Sequence, residues 1–242
     1  MPKSISTDRL RFLSGSALKL IAIISMLIDH TAYVLAPVLP FMVAPLFPLM
    51  GKQITIYYLM RRIGRLAFPI YCFLIGEGYA HTRDRVRYAL RLLIFAVVSE
   101  LPYNLMLSKA LFAPDHQNVF FTLFLGVALI HIYKNVKTSL PKLLAMLAVL
   151  VVSTQLDADY GAAGVALILL LYIFRNQRAV QAVLAYPMLS GGVAAFCAFI
   201  PINLYNGKRG FIGSGVSKYF FYLFYPLHML LLVGIRYLLT TY

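Results

Sequence analysis

A few ionisable side chains of this 242-residue chain lie inside long apolar runs of its sequence. An ionisable side chain inside a bilayer costs about 2.5–3.5 kcal/mol on insertion scales, so each one needs a partner or a function. Neutral histidine is suited to accept a proton near pH 7, and it can also carry an acyl group as a nucleophile. Candidate chemistry therefore centres on the histidines of this set. Its members are Lys19, Asp29, His30, Glu77, Glu100 and His228.

Lys19 and His30 are predicted to lie on one side of the same helix. Their separation of eleven positions corresponds to about 16 Å along the helix axis, or about three turns. This spacing suits a long ligand whose anionic head meets Lys19 at the membrane surface and whose reactive end meets His30. Glu100 lies at a similar depth to His30, about 18 Å against about 20 Å from the cytoplasmic helix ends, so we expect the two to meet.

For the other candidate residues, a structural explanation stands beside the functional one. His228 lies at a middle depth, one helical turn from Tyr225, so both share a face, and packing explains it as well as chemistry does. Glu77 lies near the inner edge of its span, where we expect it to pair with the arginines of residues 83–91. Asp159 is expected in a solvated loop.

Composition places these residues in a membrane protein. The chain is 61% hydrophobic and 12% charged, whereas a soluble domain carries about 25% charge, which excludes soluble enzymes and disordered chains. We therefore predict a single all-α domain over 1–242, a polytopic transmembrane bundle of about eight spans. The apolar runs lie at 17–36, 63–80, 88–107, 118–133, 141–154, 161–174, 180–204 and 217–239.

The segment 39–60 is apolar as well, but Pro40, Pro45, Pro48 and Gly51 interrupt it. Such interruptions favour a re-entrant or interfacial stretch over a spanning helix. If the segment spans after all, the count becomes nine.

The net charge of +14 is explained better by membrane topology than by nucleic-acid binding, because the basic residues form short clusters between apolar runs. With eight spans most of them fall on the cytoplasmic side, so both termini are predicted to be cytoplasmic. Lys208 and Arg209 fall outside in this topology. A group that breaks the positive-inside rule favours a functional role there, and its members are Arg61, Arg62 and Arg65. The two cysteines supply neither a disulfide framework nor a metal set.

The polar stretches resemble those of a known family, the TraX family of membrane acetyltransferases, which is named for pilin acetylation in conjugation systems. The resemblance covers about 14–232. It includes Arg62-Ile-Gly-Arg65, Glu77-Gly78-Tyr79 and Tyr225-Pro-Leu-His228. The matching stretches lie at 18–19, 28–30, 62–69, 73–82, 99–104, 118–122, 159–161 and 225–228.

The chain is more faintly similar to the acyltransferase family 3. The first span of that family has a basic residue followed eleven positions later by a histidine, which correspond to Lys19 and His30. The resemblance implies that His30 is catalytic and that Lys19 contacts coenzyme A. That family usually has arginine at the first position, and lysine keeps the charge but loses bidentate phosphate geometry. Its Arg-x-x-Arg element follows the second span, whereas Arg62-x-x-Arg65 precedes the Phe-Leu-Ile-Gly-Glu-Gly run of this chain. Both these arginines and the 83–91 group therefore stay candidates for the coenzyme.

The resemblance implies a transferase that moves an acetyl group from cytosolic acetyl-coenzyme A to an extracytoplasmic acceptor. The acceptor would be a pilin-like protein amine, or a hydroxyl or amine of a glycan or lipid. His30 would act as base or acetyl carrier, with Asp29 or Glu100 orienting it. The expected coenzyme contacts are Lys19, Arg83, Arg85, Arg87, Arg91, Arg62 and Arg65. The expected substrate contacts are Arg61, Glu77, Asn104, Asn118, Tyr225 and His228.

The expected location is the inner (plasma) membrane of a bacterium. The expected partners are acetyl-coenzyme A, the lipid bilayer and an unidentified acceptor. We expect neither nucleic acid nor a metal ion to bind. Whether the protein forms a homodimer is left open. A proton-coupled transporter that uses the same buried ionisable residues is the main alternative. The lack of visible internal repeats and the alignment of Lys19 with His30 count against it. A structural protein without chemistry would not need so many ionisable residues in its spans.

Overall fold

The structure is a computed structural model that describes residues 11–211 and 216–241, with the backbone alone for 216–218. It is 72% helical, which confirms the prediction of a mainly helical chain. The helices are α1 Gly15–Leu35, α2 Ile56–Gly64, α3 Ala67–His81, α4 Arg85–Leu107, α5 Val119–Asn135, α6 Ser139–Gln155, α7 Gly161–Ile173, α8 Arg178–Ala185, α9 Val193–Phe196, α10 Phe199–Asn203 and α11 Val216–Thr241. Short 3-10 turns lie at Pro40–Met42 and Tyr186–Met188, and two strands lie at β1 Phe47–Leu49 and β2 Lys52–Ile54.

Small polar residues set where several helices begin. Ser14 caps α1 by accepting from the Ala17 amide at 3.2 Å. Thr55 caps α2 and Asp84 caps α4 in the same way, at 3.0 and 2.9 Å. Side-chain oxygens at these positions satisfy amides of the first turn that have no partner within the helix. The sequence therefore encodes these boundaries locally.

Apolar helices indicate a membrane protein. Within the described residues, three helices are long and apolar enough to cross a bilayer, at Gly15–Leu35, Arg85–Leu107 and Tyr219–Thr241. Shorter apolar helices lie at Val119–Asn135, Ser139–Gln155 and Gly161–Ile173. Helix α3 lies in the middle of the bundle, against α1, α5 and α7. Many large apolar side chains point outwards from α4, α6 and α11, as expected of lipid-facing helices.

The run at 180–204 does not form the single span that hydropathy predicts. It folds instead as α8, a 3-10 turn, α9 and α10, with a reversal at Gly191 and Gly192. Gly192 has a φ of 56°, a left-handed conformation that glycine adopts readily. The guanidinium of Arg178, at the start of this segment, donates to carbonyls at its end, those of Ile202 at 2.8 Å and Tyr205 at 2.9 Å. The segment is therefore a re-entrant helical hairpin that begins and ends at one end of the bundle.

This correction also changes where the last helix begins. The chain after the hairpin bonds to the start of α1, because the amides of Gly15 and Ser16 each donate at 2.9 Å to the carbonyls of Lys208 and Arg209. We call this end of the bundle, marked by Lys19, Arg91 and Arg209, the basic end, and the opposite end the far end. Lys208 and Arg209 thus lie at the basic end, whereas the eight-span topology predicts them on the outer side.

Helix α11 runs alongside α1 in the same direction. Phe221 near its start lies under the Lys19 ammonium, at 5.6 Å from ring centroid to Nζ. Arg236 near its end donates at 3.0 Å to the carbonyl of Leu105, close to the end of α4. The last helix therefore ends at the far end, so the described termini lie at opposite ends of the bundle. The expectation that both share one side does not agree with this arrangement.

The segment 39–60 is interrupted, as predicted from its prolines. It forms a 3-10 turn, the antiparallel hairpin of β1 and β2 with Pro48 opposite Gln53, and the start of α2, so no ninth spanning helix forms here. Helix α2 then packs closely on α1. A Cβ atom at Gly64 would overlap the carboxylate of Asp29, so glycine permits this approach.

Candidate functional site

Two histidines from the first and last helices meet inside the bundle. The Nδ1 atom of His30 lies 2.6 Å from the Nε2 atom of His228, and the two rings are nearly coplanar, with an interplanar angle of 5°. The ring of Tyr225, one turn before His228, lies edge-on to that of His30 at 6.2 Å between centroids. The structure therefore brings His30 of the first helix together with Tyr225 and His228 of the last helix, and all three are predicted site residues.

The hydrogen bonds of this pair fix which nitrogen carries the proton. The Nδ1 atom of His228 lies 2.7 Å from the carbonyl oxygen of Phe224, which can only accept, so His228 carries its proton on Nδ1. Its Nε2 is then an acceptor, and the Nδ1–H of His30 donates to it. In the neutral pair, the Nε2 atom of His30 consequently holds a free lone pair, which is the form that a base or nucleophile needs.

The predicted orienting carboxylates have other partners. Asp29 pairs with the guanidinium of Arg61, with side chains 16% and 24% exposed. Glu100 accepts from the backbone amide of Asn118 at 3.0 Å and also from its side-chain amide. The structure thus pairs His30 with His228, whereas the sequence predicted Asp29 or Glu100 in that position.

Asn118 and Asn104, both predicted to contact substrate, are buried in the packing of the helices. The side chain of Asn118 donates to the Ala96 carbonyl at 2.8 Å and accepts from the Phe120 amide at 3.0 Å. It thereby caps α5 and ties it to α4. Asn104 lies within α4, where its carbonyl accepts from the Ser108 amide at 2.8 Å. The side chain of Asn118 therefore has a structural role, and the side chain of Asn104 is buried within the bundle.

A cavity of about 630 Å³ extends from the basic end to Tyr225, whose ring contacts that of His30, while neither His30 nor His228 is among its lining residues. We call it the main cavity. Its mouth is lined by cationic side chains, those of Lys19, Arg83, Arg91 and Arg209. Its interior is apolar and aromatic, with Met26, Leu123 and Phe120, and it ends at Tyr225. A cationic mouth above an apolar interior suits a ligand with an anionic head and a long, weakly polar arm.

The main cavity separates the predicted coenzyme contacts into two groups. Lys19, Arg83 and Arg91 line it, as does Glu77, which was predicted on the substrate side. Two other arginines of the 83–91 group lie at the same end but do not line it. Arg85 packs over the ring of Tyr79 at 5.1 Å, and Arg87 is exposed and pairs with Asp84 at 2.9 Å.

Arg62 and Arg65 lie at the far end, away from the cavity mouth. Arg62 packs over the ring of Tyr58 at 4.8 Å and donates at 3.4 Å to the carbonyl of Gly191, at the tip of the re-entrant hairpin. A Cβ atom at Gly191 would come within 2.9 Å of the Arg65 side chain. The tip of the hairpin therefore packs directly on this Arg-x-x-Arg element.

Arg209 is a cavity residue that the sequence did not predict. It belongs to the segment Asn206-Gly207-Lys208-Arg209-Gly210, in which Gly207 and Gly210 have φ of 77° and 85°. The Asn206 side chain accepts from the Lys208 amide at 2.9 Å and closes the turn. Two adjacent basic residues in a turn between two glycines could have indicated an anion site. The eight-span topology, however, predicts this turn at the opposite end of the bundle from Lys19.

Asp159 was expected in a solvated loop, but it is partly buried at the far end. Its amide donates to the Gln117 carbonyl at 2.8 Å, and its own carbonyl accepts from the Thr122 hydroxyl. Burial raises the pKa of Asp159 to about 6, although the nearby guanidinium of Arg65 lowers it. Arg61, Arg65, Asp29 and Asp159 thus form a polar cluster at the far end, which we call the far-end cluster.

Comparison of the sequence with those of known proteins identifies the family of this chain. The chain is 28% identical to the protein named "Probable fimbrial assembly protein FimC, serogroup H1" of Dichelobacter nodosus, over 92% of this chain and 96% of that protein. It is 26% identical to an uncharacterized protein of Rickettsia prowazekii (strain Madrid E), over 66% of this chain and 56% of that protein. No solved structure matches it significantly. The model of the family described as "TraX protein" matches residues 14–236, so the chain belongs to the TraX family.

Proposed function

We propose that this protein is a membrane-embedded acetyltransferase that takes acetyl groups from acetyl-coenzyme A at its basic end. One observation carries the proposal, which is that the main cavity joins a cationic mouth to Tyr225, and the ring of Tyr225 lies against those of His30 and His228. Acetyl-coenzyme A has the matching form, because its phosphates lie at one end of a long, weakly polar arm and its thioester lies at the other.

The mouth of the cavity is suited to phosphate groups. Lys19 supplies an ammonium, and Arg83, Arg91 and Arg209 supply guanidiniums, which bind phosphate oxygens by charge-assisted hydrogen bonds. The Nε atom of Arg91 is buried and, among the described residues, has no hydrogen-bond partner. A buried donor without a partner is costly, so a bound phosphate would stabilise it.

The reactive end of the donor would then lie near Tyr225 and His30. In direct transfer, the acceptor nitrogen or oxygen attacks the thioester carbon, and the Nε2 atom of His30 takes its proton. The carbon–sulfur bond breaks, and the proton passes to the coenzyme thiolate. His228 holds His30 in the required tautomer, a role for which the sequence predicts Asp29 or Glu100.

Covalent transfer uses the same atoms. The Nε2 atom of His30 attacks the thioester carbon, the carbon–sulfur bond breaks, and the thiolate leaves and takes up a proton from water. The Nδ1 proton of His30 shifts to the Nε2 atom of His228, which leaves a neutral acetyl-imidazole. The acceptor then attacks the acetyl carbon and gives its proton to the hydroxide that the first step left. The bond from the acetyl carbon to the Nε2 atom of His30 breaks, and His228 returns its Nε2 proton to the Nδ1 atom of His30. Either route lets donor and acceptor approach from different ends of the bundle.

The far-end cluster would guide the acceptor. Its carboxylates and guanidiniums suit an amine or hydroxyl carried by a polar group. The relative from Dichelobacter nodosus is named as a probable fimbrial assembly protein, which supports an acceptor in the cell envelope, such as a pilin-like protein, a glycan or a lipid head group. Mass spectrometry of envelope fractions from cells with and without the protein would identify it.

The basic end would face the cytoplasm of a bacterial inner membrane, in accordance with the positive-inside rule. The re-entrant hairpin supports this orientation, because it places Lys208 and Arg209 at the basic end. The basic residues there are Arg11, Lys19, Arg83, Arg85, Arg87, Arg91, Lys134, Lys137, Lys142, Arg175, Arg178, Lys208 and Arg209. Those at the far end are Lys52, Arg61, Arg62, Arg65, Lys109 and Arg236.

Purified protein in lipid nanodiscs tests the proposal, with radiolabelled acetyl-coenzyme A and extracted envelope material as acceptor. Binding of the donor and protein-dependent transfer of label are the expected results. A transporter would instead show no binding of acetyl-coenzyme A together with proton-coupled flux in liposomes. The structure gives that alternative little support, because Asp29 pairs with Arg61 and Glu100 with Asn118, so these carboxylates do not continue the histidine contact.

A further inference from the structure

A second, smaller cavity lies beside the mouth of the main cavity. Its volume is about 290 Å³, and three of its lining residues, Arg175, Asn176 and Arg178, come from the connection of α7 to α8. Glu77, His81 and Tyr205 line both cavities, so they form a shared wall. We call this smaller cavity the annex.

The annex contains a cation that an aromatic ring holds in position. The guanidinium of Arg175 lies 5.3 Å from the ring centroid of Tyr172, a cation–π contact that holds it beside the annex. Arg178 already bonds to the carbonyls that close the re-entrant hairpin, so its task is structural. Arg175 is therefore the cation of the annex best suited to bind an anionic group.

The shared wall carries a carboxylate between two cationic sites. The side chain of Glu77 is 16% exposed and lies 4.0 Å from His81, whose Nδ1 is 2.8 Å from the Glu77 carbonyl oxygen. A carboxylate repels phosphate but accepts hydrogen bonds from ribose hydroxyls and from an adenine amino group. The cations of the main mouth therefore lie on one side of the Glu77 carboxylate, and Arg175 lies on the other. This order matches a ligand in which a neutral nucleoside lies between two phosphate groups.

We infer that the annex binds the 3′-phosphate of the donor nucleotide through Arg175, while the main mouth binds its diphosphate. The inference rests on the proposed function and deepens it. It specifies a soluble nucleotide thioester as donor, because a thioester on a carrier protein has no 3′-phosphorylated adenosine and would leave the annex empty. Glu77 and Tyr205 then contact the nucleoside between the two phosphate sites.

The test compares two donors that differ by one phosphate, acetyl-coenzyme A and 3′-dephospho-acetyl-coenzyme A. The wild-type protein in nanodiscs should show a KM that is about tenfold lower for acetyl-coenzyme A, as expected for one charge-assisted contact at a partly exposed site. Arg175→Gln should raise the KM for acetyl-coenzyme A to about the level of the dephospho donor, with little change in kcat. Lys137→Ala is the matched control, because it removes an exposed cation from the same end and should keep the preference.

Equal KM values for the two donors in the wild-type protein, or an unchanged preference in Arg175→Gln, would overturn the inference. If the wild type turns over neither donor, the proposed function fails instead, and calorimetry then decides on the annex alone. Adenosine 3′,5′-bisphosphate should bind about tenfold more tightly than adenosine 5′-monophosphate, and Arg175→Gln should remove the difference. Equal binding of the two nucleotides would rule out a 3′-phosphate site.

Discussion

The Nδ1 atom of His30 lies 2.6 Å from the Nε2 atom of His228, and the Nδ1 atom of His228 lies 2.7 Å from the Phe224 carbonyl oxygen. This chain of bonds runs from a backbone carbonyl in α11 to the first helix. It orients the imidazole of His30 and leaves its Nε2 as the acceptor in the neutral pair. The carbonyl–histidine–histidine chain therefore fixes the tautomer of His30, as the carboxylate of a serine protease fixes that of its histidine, but without the negative charge of that carboxylate.

His228 should act by positioning His30. His228→Ala removes the acceptor for the Nδ1 proton of His30, so kcat should fall by at least about tenfold with little change in the KM for acetyl-coenzyme A. His228→Gln retains an acceptor oxygen on a side chain of similar length and should recover a large part of kcat. Steady-state kinetics with both variants check this. Equal loss in the two would indicate that His228 contributes packing alone.

Lys19 should act on donor binding. Lys19→Ala removes a cation from the mouth of the main cavity, and the KM for acetyl-coenzyme A should rise by about tenfold, more than kcat falls. Lys19→Arg keeps the charge and should stay close to the wild type. Initial rates over a range of donor concentrations measure both constants. A fall in kcat alone would show that Lys19 does not anchor phosphate.

The ion pair of Asp29 and Arg61 should stabilise the contact between α1 and α2. Arg61→Ala leaves a mostly buried carboxylate without its partner and should cost about 3 kcal/mol, the lower limit for breaking a buried pair. The double variant Asp29→Asn with Arg61→Gln should lose less, because no charge is left unpaired. Thermal midpoints in detergent, read by size-exclusion chromatography after heating, give the comparison. A double variant that loses as much stability as Arg61→Ala, or more, would contradict the coupling of the two residues.

Asp159 should make stability depend on pH. Its pKa is about 6 in the folded protein and about 3.9 in an unfolded chain, so between these values the folded state keeps a proton that the unfolded state has lost. The stabilisation is complete below about pH 4 and is lost as pH rises through about 6, by about 3 kcal/mol. Asp159→Asn should remove this slope. Thermal midpoints of both proteins from pH 4 to 7 measure it, and parallel curves would contradict the assignment.

The helical fold was predictable because long apolar runs and capping residues are local features. The hairpin at 180–204 was not predictable from hydropathy, because a mean over the run does not show where the chain reverses. The residues that could have indicated a break are Pro187, Gly191, Gly192 and Pro201. One missing crossing then reversed the predicted side of every later residue. For this reason Arg209, which lines the main cavity, was assigned to the wrong end.

The sequence predicts which residues belong to the candidate site, but it does not predict which of them contact each other. His30, Lys19 and His228 were identified because ionisable groups in apolar helices are costly. Depth along a helix gives no information about rotation or about which helices are neighbours. Depth alone therefore predicts that Glu100 meets His30, whereas packing brings α11 against α1 and α4 against α5. Asp159 was missed because its burial depends on the fold of two loops.

Acetyl transfer by His30→Ala tests the role of His30 most directly. The measurement is protein-dependent transfer of radiolabel from acetyl-coenzyme A to envelope acceptors, with equal amounts of folded protein in nanodiscs. His116→Ala serves as the control, because His116 lies on an exposed loop at 58% side-chain exposure. His30→Ala should lower the rate by about 10²–10⁴-fold while donor binding is retained, and His116→Ala should match the wild type. Transfer by His30→Ala at the wild-type rate would contradict a catalytic role for His30.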